Sequence, residues 1–144
     1  MSNRGLPLSG ELRRLVERRI EHTLMGIEDT LKSILSNQNL TFEDLKKDLK
    51  SLEESFNMLS QKWNLEVIYT LLLRNAVSFS ELKRLLGVNS RTLSDKLKNL
   101  KKHGFIDRTV ESGPPLRVRY TLTQKGRNTA LMALPLLYYL SLAS

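Results

Sequence analysis

The stretch GVNSRTLSDKLKNLKKHG, Gly87–Gly104, decides how this chain is read. As a helix beginning after Asn89, it places Leu93, Leu97 and Leu100 on one stripe, at spacings of four and three. At about 100° per residue, the far side carries Arg91, Asp95, Lys98 and Lys102, flanked by Ser94 and Asn99. Asn89 or Ser90 can cap the start by accepting a bond from a free backbone N–H. Gly104 can close the end in a left-handed conformation, with Lys101, Lys102 and His103 near the negative pole of the helix dipole. One face is apolar; the other offers cations, an amide and hydroxyls, the chemistry of a helix lying in a DNA major groove.

The flanking sequence supports that reading. Upstream, Trp63–Leu73 (WNLEVIYTLLL) is a dense apolar helix carrying only Glu66, and residues 74–77 read as a turn. Ser78-Phe79-Ser80-Glu81 forms a capping box before Leu82, Leu85 and Leu86. Gly87-Val88-Asn89 then leads into the second helix, a helix-turn-helix pattern. Downstream, Phe105–Glu111 is strand-like, and Ser112-Gly113-Pro114-Pro115 can continue neither a helix nor a central strand. In Leu116–Leu122, Leu116, Val118, Tyr120 and Leu122 alternate with Arg117, Arg119 and Thr121. Two short strands with a Gly-Pro-Pro tip make a β-hairpin wing over 105–122. Its outward arginines, Arg117 and Arg119 with Arg108 on the partner strand, face solvent or phosphate.

The outer segments are helical. Ser9 opens a long pattern with apolar positions Leu12, Val16, Ile20, Leu24, Ile27, Leu31 and Ile34, ending near Ser36. Thr41 caps a second helix with Phe42, Leu45, Leu49, Leu52, Phe56 and Leu59 at spacings of three and four. These two suggest a helical hairpin with one stripe to bury inside and another to meet a second subunit; alternatively, both stripes cover the domain's own core. Thr123 caps the last helix, whose TALMALPLLYYL is apolar on nearly every side. Pro135 should kink it, and it is shorter than the roughly 20 residues of a membrane span. Leu134, Leu137 and Tyr138 are expected to pack on the long first helix, within the chain or across a dimer interface.

Charge is unevenly divided. Of 144 residues with net charge +8, residues 1–62 hold 10 Lys+Arg and 10 Asp+Glu, whereas 63–144 hold 13 against 5, the whole excess. Concentration in one half is the electrostatic footprint of a polyanion-binding domain. No cysteine means no disulfide, thiolate metal site or cysteine nucleophile, and His22 and His103 alone make no metal site. With no phosphate loop, no metal cluster and no paired acid and base, the sequence does not read as an enzyme, and no cofactor is expected. The N-terminus lacks the apolar core of a signal peptide, so the expected location is cytoplasmic, without a membrane partner. No residue set marks a pocket for a small-molecule effector.

These pieces resemble a known family over about Ser60–Leu142. Lys62-Trp63, Phe79-Ser80-Glu81-Leu82, Gly104-Phe105-Ile106, the run Pro114–Thr123 and Lys125-Gly126-Arg127 are similar to the HxlR-type group of winged-helix regulators, within the wider MarR- and PadR-like class. The resemblance implies a homodimeric transcriptional regulator on a pseudo-palindromic operator, with recognition helix 90–102 and wing tip 112–115. Members of that group often carry an oxidant-sensing cysteine, which is lacking here, so thiol sensing is excluded.

The expected fold is therefore mainly α with a small β-hairpin wing: a winged helix-turn-helix with an N-terminal helical extension. Residues 1–60 form the dimerisation hairpin, 61–128 the DNA-binding domain, and 129–144 the apolar helix on the dimer interface. Leu12, Val16, Ile20, Leu24, Ile27, Leu134, Leu137 and Tyr138 are the expected subunit contacts. Double-stranded DNA is the expected partner, with Arg91 reading a base and Ser90, Ser94 and Asp95 contacting base edges or shaping specificity, Asp95 by accepting from cytosine or by orienting Arg91; Thr92 and Asn99 are also expected at the DNA. Lys98, Lys102, Arg108, Arg117 and Arg119 are expected on phosphates. A non-sequence-specific chromosomal protein and a winged-helix protein–protein assembly module use the same features and remain open.

Overall fold

Apolar spacing sets the order of elements along the chain. The computed structural model describes residues 10–37 and 39–142, the side chain of Leu12 excepted. The order is α1 (Gly10–Asn37), α2 (Phe42–Ser60), α3 (Asn64–Arg74), β1 (Val77–Ser78), α4 (Phe79–Leu86), α5 (Ser90–Lys102), β2 (Ile106–Glu111), β3 (Arg117–Leu122) and α6 (Gln124–Ser141). Ser9, expected to open the first helix, and the expected Leu12 contact fall outside the described residues. The chain divides into two compact units: Glu54–Leu134, and the chain up to Glu53 together with the chain from Pro135 onward.

The core of the first unit joins Val67, Ile68 and Leu71 of α3, Leu82 of α4, Leu93, Leu97 and Leu100 of α5, and Val77, Ile106 and Tyr120 of the strands. The helix expected to begin at Trp63 begins at Asn64, because Trp63 takes a left-handed backbone (φ 78°) that breaks the helical run. Asn64 is fully buried, and its side-chain Nδ2 donates to the Met58 carbonyl at 2.7 Å. That bond ties the end of α2 to the start of α3, while Met58 and Leu59 pack against the core.

The sheet is antiparallel with order β1-β3-β2, so the wing's second strand lies in the middle. Val77 and Ser78, within or next to the expected turn, pair with Tyr120 and Arg119. Two residues are too few to show an alternation, so no sequence period announces this strand.

Register corrects the wing's faces. Ile106 is in the core, and directly opposed residues share a face, so Arg108 lies with Ile106 and Val110 opposite Tyr120 and Val118. Asp107, Thr109 and Glu111 share the other face with Thr121, Arg119 and Arg117. The three arginines expected on one outward face are thus split, Arg108 on one side and Arg117 with Arg119 on the other. Leu116, expected to point inward, is 72% exposed, since it precedes β3 and lies past the last core residue of the strand.

In the other unit, α1 and α2 do not bury a stripe between them. Thr41 and Asp44 cap α2 reciprocally, Asp44 N–H donating to Thr41 Oγ1 at 3.1 Å and Thr41 N–H to Asp44 Oδ2 at 3.3 Å. Yet α2 contains no buried residue, and Leu24, Ile27, Leu31 and Ile34 of α1 are exposed. Among the described residues the two helices bury no continuous inner stripe; Ile20 of α1 is buried, and α2 is covered only towards its end, at half-buried Met58 and Leu59. Ile20 and Tyr138, expected at a subunit contact, are instead buried within the chain itself. α6 runs through Pro135, where the two units divide. Beyond it, the Tyr138 hydroxyl donates to Glu17 Oε1 of α1 at 2.8 Å.

Burial, and then the hydrogen bond and negative charge of Glu17, push the Tyr138 hydroxyl above the ordinary tyrosine value, with Arg13 opposing. A raised pKa in the folded state means that the neutral hydroxyl stabilises the fold fully below the unfolded value. That stability is lost as pH rises past 10.0 towards the folded value. Denaturant titrations at neutral pH and above pH 10 should therefore show a stability loss on alkalinisation, and Tyr138→Phe should make that loss smaller.

Candidate nucleic-acid interface

α4 is short and capped at both ends. The Glu81 N–H donates to Ser78 Oγ at 3.2 Å, and the Ser78 hydroxyl donates to Glu81 Oε1 at 3.3 Å. At the far end Gly87 adopts φ 64° and its N–H donates to the Lys83 carbonyl. The chain then turns through buried Val88 to Asn89, whose Oδ1 accepts from the Thr92 N–H at 2.8 Å and starts α5.

α5 is held on one face and open on the other. Leu93, Leu97 and Leu100 are 0%, 2% and 0% exposed, while Ser90, Arg91, Asp95, Lys98 and Lys102 are exposed and Thr92, Ser94 and Asn99 half-buried. Arg91, Asp95, Lys98 and Lys102 have no side-chain partner among the described residues. Of the two roles expected of Asp95, the one that pairs it with Arg91 is not formed here. Lys96 is differently engaged, its Nζ donating to Gln61 Oε1 at 3.4 Å.

The C-terminal end of α5 is closed by a two-bond cap. Gly104 (φ 81°) donates its N–H to Lys101 and Phe105 donates to Leu100, while buried Phe105 joins the same core as Leu100. His103 Nδ1 lies 2.8 Å from the Asn99 carbonyl and, because a carbonyl only accepts, carries the proton. Lys125 Nζ donates to the His103 carbonyl at 3.0 Å and sits 4.7 Å from the Phe105 ring centroid. Thr123 Oγ1 donates to the Gly104 carbonyl at 2.6 Å and accepts from the Gly126 N–H, so the α6 cap and the α5 cap are one network. At Gly126 a Cβ would run into the Phe105 carbonyl oxygen, which explains the glycine of Lys125-Gly126-Arg127.

On the wing, Arg108 and Arg117 are exposed. Arg119 is 30% exposed, with its Nε 3.2 Å from Glu111 Oε1, an ion pair whose N–H is not aligned for hydrogen bonding. Of the three wing arginines, it is the one whose charge is already partly offset. Helix and wing residues expected at the interface all belong to the unit Glu54–Leu134. Sequence reading passed over Lys83 and Arg84, exposed on the last turn of α4; their place just before the Leu-Leu-Gly end of the first helix was the available signal. Among the described residues, no group of three His, Asp or Glu side chains could hold a metal ion, and no helix is long and apolar enough to cross a membrane.

Comparison with known proteins agrees with this arrangement. Residues 58–139 match the family described as HxlR-like helix-turn-helix. The chain is 34% identical over 79 residues to the HTH-type transcriptional regulator YvaP of Bacillus subtilis, covering 54% of this chain and 72% of that one. It is 32% identical over 83 residues to the HTH-type transcriptional regulator YodB of the same organism, covering 57% and 71%. The structure of reduced YodB superposes with a TM-score of 0.58 at 26% identity, over 62% of this chain and 87% of that chain. A MarR-family structure from Enterococcus faecalis V583 gives 0.57 at 30% identity, over 64% and 83%.

Two substitutions test the local framework. Asn89→Ala removes the cap of α5 and should cost ~1 kcal/mol of folding stability. Gly126→Ala forces the Phe105 backbone to move and should cost about 1–3 kcal/mol, both read from chemical denaturation midpoints.

Proposed function

This chain belongs to the HxlR-like helix-turn-helix family of transcriptional regulators, which are not enzymes, and from that membership we propose that it binds specific DNA sites as a homodimer. The observation that carries the proposal is α5, whose leucine stripe is buried while Arg91, Lys98 and Lys102 stand exposed and without side-chain partners. In this reading α5 enters the major groove N-terminus first. Arg91 pairs bidentately with a guanine, and Ser90, Thr92, Ser94, Asp95 and Asn99 shape the preference at neighbouring bases. Lys98 and Lys102 hold phosphates and set the register.

The wing tip, 112–115, lies against the adjacent backbone or minor groove, where Arg117 and Arg108 reach phosphates from its two faces. Arg119 contributes least, because Glu111 holds it. Lys83 and Arg84 add to the positive surface. The excess of 13 Lys+Arg over 5 Asp+Glu in residues 63–144 supports a polyanionic partner over a second protein.

Dimerisation is supported by the apolar surface one chain leaves exposed. On α1, Leu24 and Ile27 are 47% and 59% exposed, and on α6, Leu134 is 39% exposed. Val16 and Leu137 are half-buried, whereas Ile20 and Tyr138 are already used within the chain. A two-fold pair would set two recognition helices about 34 Å apart, one turn of DNA. The protein acts on chromosomal DNA in the cytoplasm.

Selection of bound duplexes from a random pool by the full-length protein supplies a best site. On it, Arg91→Ala should cost ~1–3 kcal/mol and relax discrimination at one base position. Lys98→Ala should weaken all duplexes alike and lower the salt dependence by about one phosphate contact. If neither substitution changes binding, the groove assignment is wrong; if no sequence is enriched, binding is non-specific.

A further inference from the structure

All but the last turn of α2 lies before the residues that match the family, and its exposed stripe has a pattern of its own. Phe42, Leu45, Leu49, Leu52 and Phe56 recur at spacings alternating between three and four, the a and d positions of a heptad. Their exposures are 74%, 51%, 48%, 65% and 55%, so the whole seam is open in one chain. The next residue of the series, Leu59, packs against the winged-helix core, which ends the free seam at Phe56. With Phe42 at a, Lys46 and Glu53 fall at e and Asp48 at g. None of these three has an ion-pair partner among the described residues.

We propose that α2 pairs with α2 of a second copy as an antiparallel coiled coil centred between Leu49 and Leu52. Antiparallel pairing layers a against d, so Leu49 meets the second copy's Leu52 and Leu45 meets its Phe56. Phe56 then faces a leucine in both outer layers of the free seam, so those layers stay even in volume, while Phe42, opposite the second copy's Leu59, lies beyond the paired stretch. Parallel pairing would stack Phe56 on itself. It would also set g against e, bringing Asp48 to the second copy's Glu53 twice over, like charge against like. Antiparallel pairing sets e beside e, and Lys46 meets the second copy's Glu53 twice, opposite charges in both places. Stripe and flanks are complementary to their own reverse. The contact is isologous and closes on itself, so it joins two copies without open-ended growth.

This inference rests on the homodimer reading and adds α2 to the surfaces that make the dimer. The chain has no cysteine, so introduced thiols are the only ones present. Full-length Leu49→Cys and Leu52→Cys proteins are oxidised mildly, each alone and as an equal mixture after subunit exchange. Disulfide-linked dimers should form several-fold more in the mixture than in either variant alone. Linkage strongest within one variant would mean a parallel coil, and no linkage in any sample would mean that something else, such as α1, covers the seam; either result overturns the proposal.

Charge exchange provides an independent reading without new thiols. In sedimentation equilibrium, Lys46→Glu and Glu53→Lys should each weaken association several-fold, and the double exchange should restore it. If the unaltered chain is monomeric, the homodimer reading fails and takes the α2 pairing with it. If it is dimeric but shows neither linkage nor restoration, only the α2 pairing falls.

Discussion

Burial of Leu93, Leu97 and Leu100 against α3, α4 and the sheet is the constraint on which the rest depends. A helix rotates by a fixed angle per residue, so fixing one stripe in the core fixes the direction of every other side chain on it. Arg91, Lys98 and Lys102 face solvent because three leucines cannot. Truncating one such leucine would typically cost ~2–5 kcal/mol, more than any one exposed cation contributes to folding. The core therefore sets the aim of the positive face, and the cations follow it at little cost.

Both ends of that helix are fixed by separate devices. Asn89 satisfies a backbone N–H at the start, and at the end Gly104 and Phe105 turn the chain so that Phe105 enters the same core as Leu100. Thr123 and Lys125 then tie the first turn of α6 to the α5 cap, with Gly126 allowing the close approach to Phe105. The strand leaving this junction begins with buried Ile106, which sets the parity of the wing. Helix capping and wing register are thereby one linked arrangement: the residue that closes α5 is followed at once by the residue that decides which arginines share a face.

The rest of the chain obeys the opposite logic. α2 is capped reciprocally and both α1 and α2 carry regular apolar stripes, yet among the described residues only Ile20 of these helices is buried. Long amphipathic helices with no covered stripe are stable only where something else removes that surface from water. The division of labour is chemical. Residues 63–144 carry the charge excess and a complete core, whereas residues 1–62 carry balanced charge and a surplus of exposed apolar area.

Local order was open to sequence alone. The capping boxes at Ser78 and Thr41, the Asn89 cap, the Gly104 terminus, the α5 stripe and the alternation of β3 all act within a few residues, where spacing and side-chain chemistry decide. Only the tertiary structure could show what depends on partners distant in the chain. β1 is two residues long and exists because β3 lies beside it; Arg108 changes face because Ile106 is held in the core; Asn64 is buried because α2 ends against α3. The same holds for the pairing of Arg119 with Glu111, for Tyr138 meeting Glu17, and for the finding that, among the described residues, the stripes of the N-terminal helices stay largely exposed except at Ile20 and at the Leu59 end. A periodic pattern states that a face is apolar; what covers that face is settled by the packing of distant segments, which no local spacing encodes.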